Sequence, residues 1–251
     1  QLTAIQGPPG TGKTTTAVEI ASILTRPQKI PGRILVFTAQ AHAGVDNMAE
    51  KLRDANVPIV RVASQSSQAK VAKAFQADES ERLEKLMAAI EAHFSSGTGF
   101  VYLATNSGLR GDRKCFDLLN LYLSGESMYE IRVRYAYLSR PSGGSVDTRS
   151  IRRDARSESR RQMTRVVLGQ EEAGQAGMAD TLLMFWTFQT DKAFTLGDQD
   201  QLAPHAISGQ TEKMIRDEAA AGFVPSSGRL DEILTQQAAA TMELSLFERA
   251  Y

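Results

Sequence analysis

The chain has 251 residues, enough for one large domain with an insertion at about 150 residues per domain. Hydrophobic residues make up 42% and charged residues 23%, which excludes wholesale disorder. The 29 basic side chains balance 29 acidic ones, so the net charge gives no evidence for a nucleic-acid partner and any basic surface must be local. The one cysteine, Cys115, excludes an internal disulfide and a multi-cysteine zinc site, and the three histidines do not have the spacing of metal ligands.

Strands and helices are predicted to alternate along the chain. Short apolar runs predict strands at 2–5, 34–37, 59–62, 100–104, 166–168 and 193–196. Apolar residues at helical spacing predict helices at 14–24, 45–52 and 179–186, and over most of 211–251. This alternation predicts an α/β domain with a mostly parallel sheet covered on both faces.

Two segments do not fit the alternation. Residues 68–94 are predicted to be a long charged helix or a pair of helices, within a helical insertion at 66–98. Residues 113–163 are predicted to be an insertion rich in Arg, Ser and Gly, in which apolar residues alternate over 131–137 and Tyr135 and Tyr137 are interpreted as cross-strand packing. The arginines between 149 and 161 are typical either of an arm that binds the phosphate backbone or of a solvated surface segment.

The first predicted strand runs directly into a complete phosphate-binding loop pattern, and a predicted helix follows it, as that pattern requires. In such a loop, backbone N–H groups and the helix N-terminus hold the phosphates. Lys13 would reach the β- and γ-phosphates, and the Thr14 hydroxyl would ligate Mg²⁺. The sequence therefore predicts a site for ATP and Mg²⁺ at Gly7, Pro8, Pro9, Gly10, Thr11, Gly12, Lys13 and Thr14.

Three further segments distinguish between the classes of P-loop protein. Each follows a predicted strand: TAQAHAGVDN at 38–47, EEAGQA at 171–176 and GDQDQLAP at 197–204. With the phosphate loop, they resemble motifs I, Ia, II and III of superfamily 1 helicases, in that order, and look most like the up-frameshift and senataxin group. The resemblance covers residues 1–65, 100–112 and 164–251, and it implies a RecA-like P-loop domain that moves along single strands.

The resemblance also implies a role for each matching residue. Glu172 matches the catalytic carboxylate that polarises the attacking water, and Gln201 matches the glutamine that senses the γ-phosphate. Asp198 belongs to the same motif as Gln201, and Glu171 stands where the family has its Mg²⁺-linked aspartate. The segment 38–46 matches the part that contacts the nucleic-acid backbone, so the resemblance implies nucleotide and nucleic-acid sites at one edge of the sheet.

The chain departs from the family pattern at motif II. Glu171 is one methylene longer than aspartate, so we expect the metal to shift or to lose a bridging water. Gly169 and Gln170 replace apolar residues of the family's strand, which favours a local bulge or a degraded strand. His42 is interpreted as a structural residue of its segment rather than as a catalytic one.

Taken together, these features predict the ATP-binding half of an ATP-dependent RNA or DNA helicase. We expect the 251 residues to lack the second RecA-like domain, which carries the family's arginine fingers, and so to be an incomplete enzyme. The alternatives are a degenerate, non-catalytic nucleotide- or RNA-binding module and a ring-forming AAA ATPase, although the latter does not explain 197–204. The expected partners are single-stranded RNA or DNA and a second RecA-like domain. No apolar run is long enough to cross a membrane, so we expect a soluble intracellular chain.

Overall fold

The computed structural model describes residues 2–8, 10–27, 32–140, 166–171 and 192–198, with the single residues 148, 151, 184, 187, 188 and 190. Its strands are β1 (Leu2–Gln6), β2 (Ile34–Ala39), β3 (Ile59–Arg61), β4 (Val101–Thr105), β5 (Val166–Gln170) and β6 (Lys192–Gly197). Its α-helices are α1 (Lys13–Thr25), α2 (His42–Asp54), α3 (Glu79–Ser96), α4 (Arg113–Leu123) and α5 (Met128–Leu138). The predicted helices at 179–186 and 211–251 lie wholly or largely outside the described residues.

The six strands form one sheet in the order β1-β6-β5-β2-β4-β3, and every neighbouring pair is parallel. Parallel neighbours require crossover connections, and the described helices in these connections pack against the sheet. Because all the strands run the same way, the loops that follow them meet at one edge, the usual place for a ligand in an open α/β sheet. The predicted RecA-like α/β fold is confirmed.

The sheet is buried on both faces. Along β2, Ile34 and Val36 belong to the core that contains the apolar residues of α3, α4 and α5. The alternate residues Leu35 and Phe37 belong to the core formed with α1 and α2. This explains why the strands are continuously apolar instead of alternating. In the described part of the chain, no helix has the length and apolar character that crossing a membrane requires.

Helix α3 begins later than the predicted helical segment. Residues 65–70 and 73–75 form two short 3-10 helices instead. Asp78 then starts α3 with a reciprocal cap, in which its carboxylate accepts from the Glu81 N–H at 2.8 Å and the Glu81 carboxylate accepts from the Asp78 N–H at 3.2 Å. Leu83 and Ile90 on α3 are fully buried, so this helix covers the sheet directly.

The interpretation of residues 131–137 as an alternating, strand-like stretch is wrong, because these residues belong to α5. Ser127 caps this helix by accepting a hydrogen bond from the Glu130 N–H at 3.2 Å. Tyr135 packs partly against the core, whereas Tyr137 is 56% exposed, so neither makes cross-strand contacts. The arginines between 149 and 161 lie outside the described residues.

The expectation of a bulged or degraded strand at Gly169 and Gln170 is also wrong. Both residues lie in β5, in regular register with β2 on one side and β6 on the other. A Cβ atom at Gly169 would lie 2.4 Å from Cδ2 of Phe37 and 2.8 Å from Cζ of Phe194. The strand therefore takes glycine here because two aromatic rings from the neighbouring strands fill the space above it.

We expect Gly169→Ala to lower the free energy of unfolding by about 1–3 kcal/mol, the usual cost of overpacking a filled core. Urea denaturation followed by circular dichroism measures this. Adding Phe194→Leu should restore part of the loss, because it removes one of the two obstructing rings. If Gly169→Ala unfolds at the same urea concentration as the wild type, the close packing described for β5 is incorrect.

Candidate nucleotide-binding site

The phosphate-loop sequence connects β1 to α1 at the carboxyl edge of the sheet. Gly10 and Gly12 have φ angles of 81° and 89°, in the left-handed region that favours glycine. A Cβ atom at Gly7 would lie 2.6 Å from Oγ1 of Thr11, so the loop closes on itself here. The Gly7 N–H also donates to the Gly197 carbonyl at 3.3 Å, which fastens the loop to the end of β6.

The side chain of Lys13 folds back into this loop. Its ammonium donates to the Pro8 carbonyl at 2.9 Å and also to the Gly7 carbonyl. The Thr11 hydroxyl donates to the same Pro8 carbonyl at 2.8 Å, so the loop curls around the lysine head group. This arrangement places a positive charge at the centre of a loop of backbone groups, where a phosphate would be bound.

The two predicted metal-binding residues, Thr14 and Glu171, lie in direct contact. The Thr14 hydroxyl on α1 donates to Oε1 of Glu171, just beyond β5, at 2.9 Å. The Glu171 N–H donates to the Thr38 carbonyl at 2.8 Å, which fixes the backbone of Glu171 beside β2. The fold therefore brings together residues that are 157 positions apart in the sequence.

The oxygen atoms of Thr14 and Glu171 fit the preferences of Mg²⁺, which binds a few protein oxygens and completes its shell with water and substrate phosphates. Among the described residues, no group of three or more His, Cys, Asp or Glu side chains could hold a metal by itself. A metal held by Thr14 and Glu171 would take further ligands from water and bound phosphates.

The remaining predicted site residues are only partly described. Asp198 follows β6 at the same edge of the sheet and is buried. Pro9, Glu172 and Gln201 lie outside the described residues, so their roles stay predictions.

The segment 38–46 resembles the part of the helicase family that contacts the nucleic-acid backbone. Buried contacts hold it at both ends. Thr38 is fully buried at the end of β2 and donates to the Met184 sulfur at 3.2 Å. Asp46 is buried in α2 and accepts from Nε of Arg61 at 2.8 Å. Between them, Gln40 is exposed and accepts from the Asn106 amide at 3.1 Å. Its exposed middle can meet a ligand while its ends fix its course.

The sequence analysis gave no role to Arg61, the last residue of β3, or to Asn106, which follows β4. Arg61 ends a strand and Asn106 follows one, so both lie at the same edge of the sheet as the phosphate loop. Their positions directly at the ends of predicted strands are the signal that could have indicated them. His42 lies beside Arg61, and burial, followed by the positive charge of Arg61, lowers its pKa below the usual value of 6.5. His42 is therefore neutral at pH 7, and its ring accepts a hydrogen bond from Arg61.

Comparison with known proteins shows the family. A family described as an AAA domain matches residues 1–166 and thus includes the segment 113–163 that we expected to fall outside the resemblance. The chain is 40% identical over 68 residues to Regulator of nonsense transcripts 1 homolog of Drosophila melanogaster, which is 27% of this chain and 6% of that protein. It is 46% identical over 65 residues to ATP-dependent helicase NAM7 of Saccharomyces cerevisiae, which is 26% of this chain and 6% of that protein.

A third relative is DNA replication ATP-dependent helicase/nuclease DNA2 of Saccharomyces cerevisiae, 43% identical over 58 residues, or 23% of this chain and 4% of that protein. The matched segments are thus short pieces of much longer proteins. The predicted resemblance to superfamily 1 helicases of the up-frameshift group is confirmed. The chain belongs to the AAA-domain family and is similar to ATP-dependent helicases of the up-frameshift type.

Proposed function

We propose that this chain is the ATP-binding half of a helicase that couples hydrolysis of a nucleoside triphosphate to movement along single-stranded RNA or DNA. The observation that carries the proposal is the contact between Thr14 of the phosphate loop and Glu171 beyond β5. Such a contact joins the loop that binds phosphates to the carboxylate motif that helicases use for the metal and for water. The family match and the helicase relatives support the same reading.

In this proposal the chain's own residues position and neutralise the triphosphate. The phosphates would be surrounded by backbone N–H groups of the loop, from Gly7, Gly10, Thr11 and Gly12. Pro8 and Pro9 have no N–H to donate. Lys13 would exchange its carbonyl partners for β- and γ-phosphate oxygens, and its positive charge would favour the charge that develops during transfer. Thr14 and Glu171 would hold Mg²⁺, whose chemistry when bound is to neutralise the phosphate oxygens.

Two residues outside the described part complete the proposed chemistry. Glu172 would orient and polarise the attacking water for in-line displacement at the γ-phosphate, and Gln201 would contact that phosphate. We further propose that a second RecA-like domain acts with this one, since arginine fingers raise the rate of phosphoryl transfer by about 10³–10⁵.

The metal role of Glu171 has its own test. We expect Glu171→Asp to lower the Mg²⁺ concentration needed for half-maximal binding of a fluorescent ATP analogue, because the shorter carboxylate leaves room for octahedral geometry. We expect Glu171→Gln to raise that concentration, because the charge is lost while the size is kept. Titration of Mg²⁺ at fixed nucleotide measures both. An unchanged Mg²⁺ dependence in both variants would show that Glu171 is not a metal-linked residue.

The overall proposal is tested by measuring the rate at which the full-length protein releases phosphate from ATP, with and without single-stranded RNA or DNA. Stimulation of ATP turnover by single strands is the expected result. Nucleotide binding without any turnover would favour the non-catalytic binding module, and an absence of nucleotide binding would overturn the assignment of the site.

A further inference from the structure

A network centred on Arg61 joins the start of α2 to the neighbouring edge strand. The guanidinium donates from Nε to Oδ1 of Asp46 at 2.8 Å, from Nη2 to Nδ1 of His42 at 3.1 Å, and from Nη1 to the Val62 carbonyl. Arg61 and Asp46 are both more than nine-tenths buried. The second Asp46 oxygen accepts from the Ala72 N–H at 2.7 Å. One buried ion pair thus connects β3, α2 and the residue that precedes the second 3-10 helix.

This network fixes the start of α2, next to the exposed turn that Asn106 holds through Gln40. His42 and Asp46 are four residues apart in α2 and therefore lie on the same side of the helix, towards Arg61. Removal of the guanidinium would release both contacts together. The Asp46 carboxylate would then be buried without its ion-pair partner, a costly state that favours movement of the helix start.

The contact also fixes the proton of His42. A guanidinium has donors but no acceptor, so Nδ1 of His42 must be the acceptor and the ring proton must be on Nε2. His42 is half-buried, and the described residues offer no hydrogen-bond partner for Nε2. Its Nε2–H therefore remains available as a neutral donor at the start of α2.

We propose that Arg61 is a positioning residue for single-strand binding, which holds the start of α2 and sets His42 as an Nε2–H donor to a backbone phosphate. This inference rests on the proposed function, since the segment 38–46 is taken as the surface that meets the strand. Arg61 does not itself touch the ligand. It acts through His42 and Asp46, and its contribution is independent of base sequence because phosphate contacts carry no base information.

The test compares Arg61→Gln with the wild type for binding to a fluorescent oligouridine and to a fluorescent ATP analogue. We expect the variant to lose about tenfold in oligouridine affinity, the loss of roughly one charged hydrogen bond, with nucleotide affinity unchanged. Arg61→Lys keeps the charge beside Asp46 and should recover part of the loss. The matched control is Arg82→Gln, which weakens the other buried Arg–Asp pair, between α3 and the cap of α4, and should leave oligouridine affinity unchanged.

Equal oligouridine binding by the wild type and Arg61→Gln would overturn the inference alone. So would equal losses in the Arg61 and Arg82 variants, because that result would show a general effect on the fold. Absence of oligouridine binding by the wild type would overturn the nucleic-acid part of the proposed function and this inference with it.

A measurement on the wild type keeps the inference testable if the variants do not fold. The ¹⁵N chemical shifts of His42 distinguish the two neutral ring forms at pH 7.5. A proton on Nε2, with a shift change on addition of oligouridine, is the expected result. A proton on Nδ1, or no response to an oligouridine that binds, would overturn the proposal.

Discussion

Replacement of Lys13 by alanine is expected to weaken the binding of a fluorescent ATP analogue by about 10- to 100-fold. The lysine ammonium lies inside the phosphate loop, held by the carbonyls of Gly7 and Pro8. A hydrogen bond to a charged group contributes about 1.5–3 kcal/mol, which corresponds to that range of affinity. Fluorescence titration at fixed Mg²⁺ measures the change.

The chain provides a matched control for this experiment. Lys114 is a partly exposed lysine on α4 whose ammonium pairs with Glu79 at 2.7 Å, and the strand before α4, β4, lies four places from β1 in the sheet. Lys114→Ala removes the same side chain and should leave nucleotide binding unchanged, since an exposed ion pair contributes little. If the Lys13 and Lys114 variants bind the nucleotide as the wild type does, the loop at residues 7–14 is not the nucleotide site.

Replacement of Asp112 by alanine is expected to lower the free energy of unfolding by about 3–5 kcal/mol, more than Gly169→Ala. Oδ2 of Asp112 accepts from Nε of Arg82 at 2.6 Å, and the two side chains are 0% and 2% exposed. The other carboxylate oxygen accepts from the Cys115 N–H at 3.2 Å and caps α4. The variant therefore leaves a buried guanidinium without its counter-charge and removes a helix cap at the same time.

Urea denaturation at pH 7 measures this loss. The double variant Arg82→Met/Asp112→Ala should be more stable than Asp112→Ala alone, because the unpaired buried charge is gone. A double variant no more stable than the single one would show that the cap of α4, rather than the ion pair, accounts for the effect.

The amino-acid sequence correctly predicted those parts of the fold and of the site that depend on neighbouring residues or on a motif. The phosphate loop requires glycine at positions of positive φ, and Gly10 and Gly12 have such angles. The core strands are short apolar runs, so all six were predicted to within a few residues. The approach of Thr14 to Glu171 could be expected only through the order of the motifs, because no local pattern joins residues so distant in the chain.

The errors have physical reasons. Apolar residues at 131, 133, 135 and 137 alternate as in a strand, but Ser127 followed three residues later by Glu130 is a helix-start pattern that outweighs the alternation. Gly169 suggested a defect in the strand because the residues around it in the sequence do not explain a glycine. The reason for the glycine lies in Phe37 and Phe194, whose rings come from other strands and fill the space that a side chain would need. The role of Arg61 depends on a contact between β3 and α2, and periodicity within a single element does not reveal such a contact.

The backbone and the side chain of Glu171 are bonded to two different segments of the chain. Its N–H is bonded to Thr38, where the segment matched to nucleic acid begins, and its carboxylate is bonded to Thr14 of the phosphate loop. Under the proposed function, Glu171 links the segment expected to meet a single strand with the loop expected to hold the nucleotide, so we expect each ligand to change the affinity for the other. Thermodynamic linkage then requires reciprocity: the factor by which a bound nucleotide changes the affinity for a single strand equals the factor by which the strand changes the affinity for the nucleotide.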